Sequence, residues 1–476
     1  MTPGRAATVR FDTSTPTTTL RPLNGVNGTS VSGNYWLDLS DWYRRWQIPV
    51  VRLHDAPFDA HNTVDLHHLF PDPEADPDDP ANYDFVLTDD LISHVRATGA
   101  EVYFRLGESI EHQPRLRWNT MARWRPDALA RVCAGVVRHY NHGWADGHEW
   151  GIRYWEFWNE PHGPKNWDGT PEEFFDRYRA VAPAVRAASP VAKVGLAGFT
   201  TTIVDDESPW GAGIRALAAD GVPMDFLSWH RYPASITEYT AGAIAIREFL
   251  DQLGLSEVES HLGEWAFRPA HGENGQINIF AAYKRGRYDQ VSQLTAEMQG
   301  PAGLAHVLGA LISFQGLPID QAHYYTANTS PRWGLFTADG LVSLRGLAFE
   351  LYGDCLRRGG AVNIAETDDA EVQAILARDR ELPRWRVLLA NTAAEVDTVE
   401  VTIEHEHPLA VEQMAVHDGS GQVAVLPPLP HAAGRVTRFT VPVAGPGVVV
   451  LDVVPASEVV DTRSPEVNEH GQDGDW

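Results

Sequence analysis

The chain has 476 residues, of which 43% are hydrophobic and 21% are charged, close to ordinary globular usage. This composition excludes a wholly disordered chain and a fibre, and the length excludes a bare peptide ligand. The 38 Lys and Arg residues face 64 Asp and Glu residues, a net charge of −26 that repels nucleic acid, anionic membranes and polyanionic glycans. We therefore predict no nucleic-acid partner.

The N-terminus lacks the apolar core of a signal peptide, and no apolar stretch is long enough to cross a membrane. These features predict a cytoplasmic protein that does not engage membranes. Cys133 and Cys355 lie in apolar segments and are expected to be buried thiols rather than a disulfide. The sequence leaves open whether the chain forms a homo-oligomer.

Apolar segments alternate with helix-length stretches from about residue 20 to residue 350, which is typical of an α/β domain with a parallel sheet. One predicted helix, 126–140, begins with proline. Another, 171–188, opens on Thr170 with Glu173 three residues on, which is a capping-box pattern. Eight candidate strands predict a (β/α)8 TIM barrel. They are Leu23–Asn27, Val50–His54, Glu101–Leu106, Tyr154–Trp158, Val194–Ala197, Phe226–His230, His261–Trp265 and Ala322–Tyr325.

After Gly359 the pattern changes to short strands separated by turn residues, which predicts an appended β-sandwich domain. The early segment ATVRFDTS alternates in the same way, so we expect it to join that sandwich. The predicted organisation is therefore an N-terminal sandwich strand, the catalytic barrel, the sandwich and a disordered acidic tail. Their respective bounds are 1–19, 20–358, 359–456 and 457–476.

In a (β/α)8 barrel, working residues lie at the C-terminal ends of the strands. The fourth predicted strand is followed by Asn159 and Glu160, and the seventh ends with Glu264 and Trp265. Two carboxyl groups that face one pocket can act as general acid and as nucleophile in the cleavage of a glycosidic bond. We therefore predict Glu160 and Glu264 as the catalytic pair.

Other strand ends supply candidate substrate-binding residues. They are Arg52 and His54 at the end of the second strand, His230 and Tyr232 at the end of the sixth, Trp265 at the end of the seventh, and Tyr324, Tyr325 and Trp333 at or after the end of the eighth. Aromatic faces suit the apolar faces of sugar rings, while polar groups can read the hydroxyls. Packing, or orienting a neighbour, is the alternative role for each of them.

Three segments together resemble the clan A glycoside hydrolases, and within them glycoside hydrolase family 39. FWNEP (Phe157–Pro161) resembles the clan's strand-four motif, LGEW (Leu262–Trp265) its strand-seven segment, and FLSWHRYP (Phe226–Pro233) the family's strand-six segment. The segment after strand eight departs from the pattern, because it offers two tyrosines where the clan often carries a tryptophan.

The resemblance implies a barrel with a β-sandwich and retaining cleavage of a glycoside. In it Glu160 would be the acid/base, Glu264 the nucleophile, and Asn159 a ligand of the sugar 2-hydroxyl. We predict a neutral carbohydrate substrate and exo-acting, β-xylosidase-like hydrolysis. The alternatives are arabinosidase, glucosidase or endo-glycanase specificity, or a barrel that binds glycans without cleaving them.

Other chemistries lack their motifs. A class I aldolase needs a strand-end lysine, but Lys193 begins its predicted strand rather than ending it. His139 and His142, like His67 and His68, have no third metal ligand nearby in the sequence. We therefore predict neither a metal nor a cofactor.

Overall fold

The computed structural model describes residues 5–15, 17–31, 37–54, 56–58, 61–109, 124–163, 166–272, 275–417, 423–426 and 435–458. All of the predicted acidic tail beyond residue 458 lies outside the described residues. Within the described part of the chain, no helix is long and apolar enough to cross a bilayer.

Eight parallel strands form a closed barrel, as the sequence predicts. Each strand pairs with the next along the chain, and the eighth returns to the first through His323 and Gly25. The strands are buried on both faces and read as nearly continuous apolar runs for that reason. In chain order they are Gly25–Asn27, Val50–Leu53, Glu101–Leu106, Tyr154–Phe157, Lys193–Thr200, Phe226–Arg231, Glu259–Trp265 and Gln321–Tyr324.

Helices cover the outside of the barrel, and the predicted caps form. Thr170 accepts a hydrogen bond from the backbone N–H of Glu173, whose carboxylate accepts one from the N–H of Thr170. The α-helices are Ser40–Arg45, Leu66–Leu69, Val86–Ala97, Pro126–His142, Pro171–Ala188, Pro209–Ala219, Thr237–Gln252, Ile279–Lys284, Tyr288–Gln299, Pro301–Ser313 and Leu344–Arg357. Short 3-10 turns span Pro80–Asn82, Thr201–Val204, Phe314–Gly316 and Ala456–Glu458.

Two further sheets pack on each other beside the barrel. The four-stranded sheet has the order Glu366–Thr367, Arg5–Asp12, Val396–Glu404 and Val436–Pro442. The seven-stranded sheet has the order Thr18–Thr19, Ala361–Ile364, Val372–Arg378, Trp385–Asn391, Gly447–Pro455, Leu409–His417 and Val423–Leu426. The remaining described strands form two small hairpins. One pairs Pro57–Phe58 with His61–Asn62, and the other pairs Ala270–His271 with Ile277–Asn278.

The N-terminal strand Arg5–Asp12 runs parallel to Val396–Glu404 and turns every second side chain inward. Its residues Val9 and Phe11 join one apolar cluster with Leu389 and Leu451 of the other sheet. The opposite face of the seven-stranded sheet packs on the barrel's own cluster. The appended sheets thus form a two-sheet sandwich that packs against the outside of the barrel.

Candidate active site

Arg52 organises the C-terminal end of the barrel. Its side chain is fully buried and donates four hydrogen bonds of 2.7–2.9 Å. Burial opposes its charge, but the Glu156 and Glu264 carboxylates raise its pKa further, so Arg52 stays charged. The acceptors are Glu156 Oε2, Asn27 Oδ1, Glu264 Oε1 and Asn159 Oδ1, and we call these five residues the Arg52 network.

The Arg52 network fixes the orientation of Asn159. A guanidinium can only donate, so the atom of Asn159 that lies 2.8 Å from Arg52 Nη2 is its carbonyl oxygen. The amide NH2 of Asn159 is therefore turned away from Arg52. This group is pre-oriented to meet a hydroxyl.

Glu264 is held from several sides. Arg52 Nη1 lies 2.9 Å from Oε1, and His54 Nε2 lies 3.5 Å from the same oxygen. The Tyr232 hydroxyl donates to Oε2 at 2.5 Å. Burial raises the pKa of Glu264, and Glu160 adds to the rise, while His230, Arg52 and the tyrosine hydroxyl oppose it. The carboxylate is thereby fixed in one position beside a permanent positive charge.

His230 lies between the two candidate catalytic carboxyls. Its Nδ1 is 2.8 Å from Glu160 Oε1 and 3.4 Å from Glu264 Oε2. Burial lowers the pKa of His230 to about 4, so the ring is neutral near pH 7, and the two acceptors place its hydrogen on Nδ1. A Cβ at Gly198 would lie 1.7 Å from Nε2, so only glycine lets the ring occupy this position.

Glu160 is placed by a sharp turn after the fourth strand. Trp158 and Glu160 have φ angles of 73° and 44°, in the left-handed region that non-glycine residues rarely adopt. The turn brings the Glu160 carboxyl to within 4.8 Å of Glu264 and His230, counting one oxygen or nitrogen from each. The Glu160 side chain is 30% exposed, against 6% for Glu264. One carboxyl thus faces solvent while the other lies within the protein.

A cavity of about 860 Å³ opens above these groups. Six of the predicted site residues line it: Glu160, His230, Tyr232, Glu264, Tyr325 and Trp333. Tyr232 is in edge contact with Tyr325 and Trp333, at 6.3 and 5.7 Å between ring centroids. The cavity therefore combines an acidic floor with an aromatic wall, as a sugar site requires.

The other predicted residues lie behind the cavity. Arg52, His54 and Asn159 are buried next to Glu264 or Glu160, where they can orient catalytic groups. Trp265 and Tyr324, which the sequence also predicts to contact substrate, are both fully buried. They pack edge to face at 5.0 Å, and the Tyr324 hydroxyl donates to the Trp333 backbone carbonyl.

Sequence reasoning missed two members of the Arg52 network and part of the cavity wall. Glu156 and Asn27 lie inside strands, not after them, and a lone carboxylate in the apolar segment YWEF was the available signal for Glu156. Arg268 and Phe280 line the cavity as well, with the Arg268 guanidinium 5.7 Å from the Phe280 ring centroid. They come from the segment after strand seven, where no motif marks them.

Comparison with known sequences supports the predicted resemblance. The sequence model for glycosyl hydrolases family 39 matches residues 119–260, a span that includes Glu160 and Tyr232. A β-xylosidase of Caldicellulosiruptor saccharolyticus is 32% identical over 110 residues. That match covers 22% of this chain and spans about a fifth, 21%, of the β-xylosidase.

Solved structures resemble almost the whole chain. A glucosidase from Croceicoccus marinus has a TM-score of 0.70 at 23% identity, over 94% of this chain and 99% of that one. A family 39 glycoside hydrolase from Xanthomonas axonopodis pv. citri has a TM-score of 0.66 at 16% identity, over 95% and 98%. An α-L-arabinofuranosidase from Thermotoga maritima has a TM-score of 0.64 at 13% identity, over 94% and 100%. The barrel with its sandwich is therefore a fold shared with these proteins, and the resemblance to family 39 is confirmed.

Proposed function

We propose that the protein is a retaining glycoside hydrolase of the family 39 type, exo-acting and β-xylosidase-like. The observation that carries the proposal is the pair of carboxyls within 4.8 Å of each other, in contact with one neutral histidine at the base of the cavity. Retaining glycosidases hold their two carboxyls about 5–5.5 Å apart, whereas inverting enzymes need roughly 6.5–9.5 Å to seat a water molecule. The spacing favours direct attack by a carboxylate.

In the first step, one Glu264 oxygen attacks the anomeric carbon while Glu160 gives its proton to the departing glycosidic oxygen. Glu264 suits the attack because Arg52 and Tyr232 fix its carboxylate and favour its charged form. Glu160 suits proton transfer because it faces the open cavity, and two carboxyls this close share a proton more readily than they both ionise.

In the second step, Glu160 takes a proton from water, and the resulting hydroxide opens the glycosyl–Glu264 ester from the face that the leaving group vacated. Two inversions give net retention. The Asn159 amide, held by Arg52, donates to the sugar 2-hydroxyl in both steps. The sugar ring lies against Tyr325 or Trp333 on the aromatic wall.

The preference for xylosides rests on the sequence similarity to a β-xylosidase, and glucosidase and arabinosidase specificities remain the alternatives. Initial rates on aryl β-D-xyloside, β-D-glucoside, β-D-galactoside and α-L-arabinoside substrates separate these specificities. We expect the highest kcat/KM for the xyloside, and monosaccharide release from the non-reducing end of xylo-oligosaccharides. If the protein hydrolyses none of these substrates, the result favours a barrel that binds glycans without cleaving them.

The stereochemistry can be read directly by proton NMR of the first-formed sugar. We expect the anomeric configuration of the substrate, before mutarotation mixes the two forms. If the opposite anomer appears first, the double-displacement mechanism is ruled out.

A further inference from the structure

Three groups of histidine and carboxylate side chains converge among the described residues. One is the catalytic group of Glu160, His230 and Glu264. A second, Asp65 with His67 and Glu108, has a built-in counter-charge, because Arg105 donates to Asp65 at 2.6 Å. The third, Asp89 with His139 and His148, lies in the outer layer of the barrel, and none of the ion pairs of its Asp89 is to an arginine or lysine.

The third group comes from three separate parts of the chain. Asp89 lies on helix Val86–Ala97, His139 on helix Pro126–His142, and His148 in the loop that leads to the fourth barrel strand. The ring of His139 stacks on Phe85, just before the first of the two helices, at 3.5 Å between centroids. The fold thus supplies the third ligand that the sequence near His139 lacks.

The donor atoms have the spacing of a coordination site. His139 Nε2 lies 3.0 Å from Asp89 Oδ1, and His148 Nε2 lies 3.4 Å from Asp89 Oδ2. All three ligand atoms lie within 4.8 Å of one another. A tetrahedral ion that holds N and O ligands at about 2.0–2.1 Å separates neighbouring ligands by about 3.3 Å. The two nitrogen–oxygen distances, one to each oxygen of Asp89, lie near that value.

The tautomer of His139 suits a metal ligand. Its Nδ1 lies 3.0 Å from the Trp144 carbonyl oxygen, which can only accept, so Nδ1 carries a hydrogen. Its Nε2 is then the nitrogen that faces Asp89. Metal-binding histidines commonly have this arrangement, in which a backbone carbonyl fixes the tautomer and leaves the other nitrogen for the ion.

His148 meets the other oxygen of Asp89. Its ring stacks on Trp150 at 3.8 Å, and its buried Nε2 has no hydrogen-bond partner among the described residues. The Nε2 atoms of both histidines therefore face the same carboxylate, one toward each oxygen. We propose that Asp89, His139 and His148 bind a divalent transition-metal ion of the zinc class.

The chemistry of the three proposed ligands favours particular metal ions. Two imidazole nitrogens and one carboxylate oxygen suit Zn²⁺, Co²⁺ and Ni²⁺, whereas Mg²⁺ and Ca²⁺ prefer oxygen ligands alone. The side chains of Asp89 and His148 are 27% and 32% exposed, so water can complete the coordination. The ion would tie two outer helices to the loop before strand Tyr154–Phe157, far along the chain from Glu264, and its role is structural.

The test uses the untagged, full-length protein, stripped with EDTA and dialysed against Zn²⁺ or Mg²⁺ in separate samples. We expect about one Zn²⁺ per chain by elemental mass spectrometry, no retained Mg²⁺, and a melting temperature higher by a few degrees with Zn²⁺. Absence of bound Zn²⁺, Co²⁺ and Ni²⁺ at tenfold excess of each would overturn the proposal.

Substitutions of the proposed ligands test where the ion binds. His148→Gln and Asp89→Asn should each weaken Zn²⁺ affinity at least tenfold and abolish the thermal shift. His142→Gln is the matched control, because it removes an exposed histidine from the same helix and should bind like the wild type. Circular dichroism shows that each variant is folded. Wild-type Zn²⁺ binding by both His148→Gln and Asp89→Asn would place the ion elsewhere, for instance on the catalytic carboxyls, and would sink the proposal.

Discussion

The Arg52 network at the barrel mouth and the interior of the two-sheet sandwich are both buried, yet one is polar and the other is apolar. The five residues of the network contribute a guanidinium, two carboxylates and two amides, and each residue is at most 4% exposed. The cluster between the sheets consists of apolar side chains such as Leu389, Val401 and Leu451. A buried charge has a large desolvation cost, so its presence calls for a reason other than stability.

The contrast between buried polar and buried apolar residues indicates where functional residues lie in this chain. Apolar packing between the sheets stabilises the fold and tolerates exchange among residues of similar volume. The network, in contrast, holds particular atoms at particular positions and gains little net stability. Substitutions in the two regions should therefore separate activity from stability, and the following predictions are ordered by their expected effect on kcat/KM.

The largest effect is expected at Glu264. Glu264→Gly removes the attacking oxygen, and kcat/KM should fall by about 10⁴-fold or more. Added azide fits the space that the side chain leaves, so it should restore turnover and yield a glycosyl azide of inverted configuration. Glu238→Gln, which alters another carboxylate of the same cavity, serves as the control and should lose less than tenfold. Near wild-type activity of Glu264→Gly would show that the nucleophile lies elsewhere.

Glu160→Ala should have the next largest effect, and one that depends on the substrate. Loss of a general acid costs about 10²–10⁴-fold when the leaving group needs a proton. With dinitrophenyl glycosides, the glycosylation step should be nearly unchanged, because that leaving group departs as an anion. Pre-steady-state rates with good and poor leaving groups measure this difference. An equal loss for both would contradict the acid role.

Arg52→Gln tests whether the network acts through position and charge. It leaves Glu156 buried without its partner, so the free energy of unfolding should fall by about 3–5 kcal/mol. We expect kcat/KM to fall about 10²-fold, because Asn159 and Glu264 lose their common donor. The double variant Arg52→Gln, Glu156→Gln should recover part of the stability but not the activity. Recovery of both together would mean that Arg52 matters only for folding.

The sequence predicts the strands of both the sandwich and the barrel. Alternation in Arg5–Asp12 and apolar runs in the barrel strands follow directly from which faces are buried, so both layers are visible in the sequence. Glu160 and Glu264 are visible because they lie at or just after the C-terminal ends of strands and form part of recognisable motifs.

The remainder of the site depends on contacts between residues distant in sequence. Arg52 meets Glu156 across 104 positions, and nothing local marks either as a partner. Trp265 and Tyr324 are fully buried although each stands at the end of a strand, because successive side chains there point alternately into the barrel and away from it. A register error of one residue exchanges a cavity residue for a core residue, as the neighbours Tyr324 and Tyr325 illustrate.

The smallest effect on activity is expected inside the sandwich. Leu389 is fully buried on the strand Trp385–Asn391 and belongs to the cluster between the sheets. Leu389→Ala should lower the free energy of unfolding by about 2–5 kcal/mol, because it removes buried methyl groups and leaves a cavity. At a temperature where the variant is folded, kcat/KM should stay within twofold of wild type, since none of the five residues of the Arg52 network belongs to this cluster. Glu400→Gln, on an exposed position of the facing sheet, controls for surface changes and should alter neither quantity measurably. Denaturant titration and initial rates on the same preparations give both numbers, and a large loss of kcat/KM in Leu389→Ala would show that the sandwich helps to shape the barrel mouth.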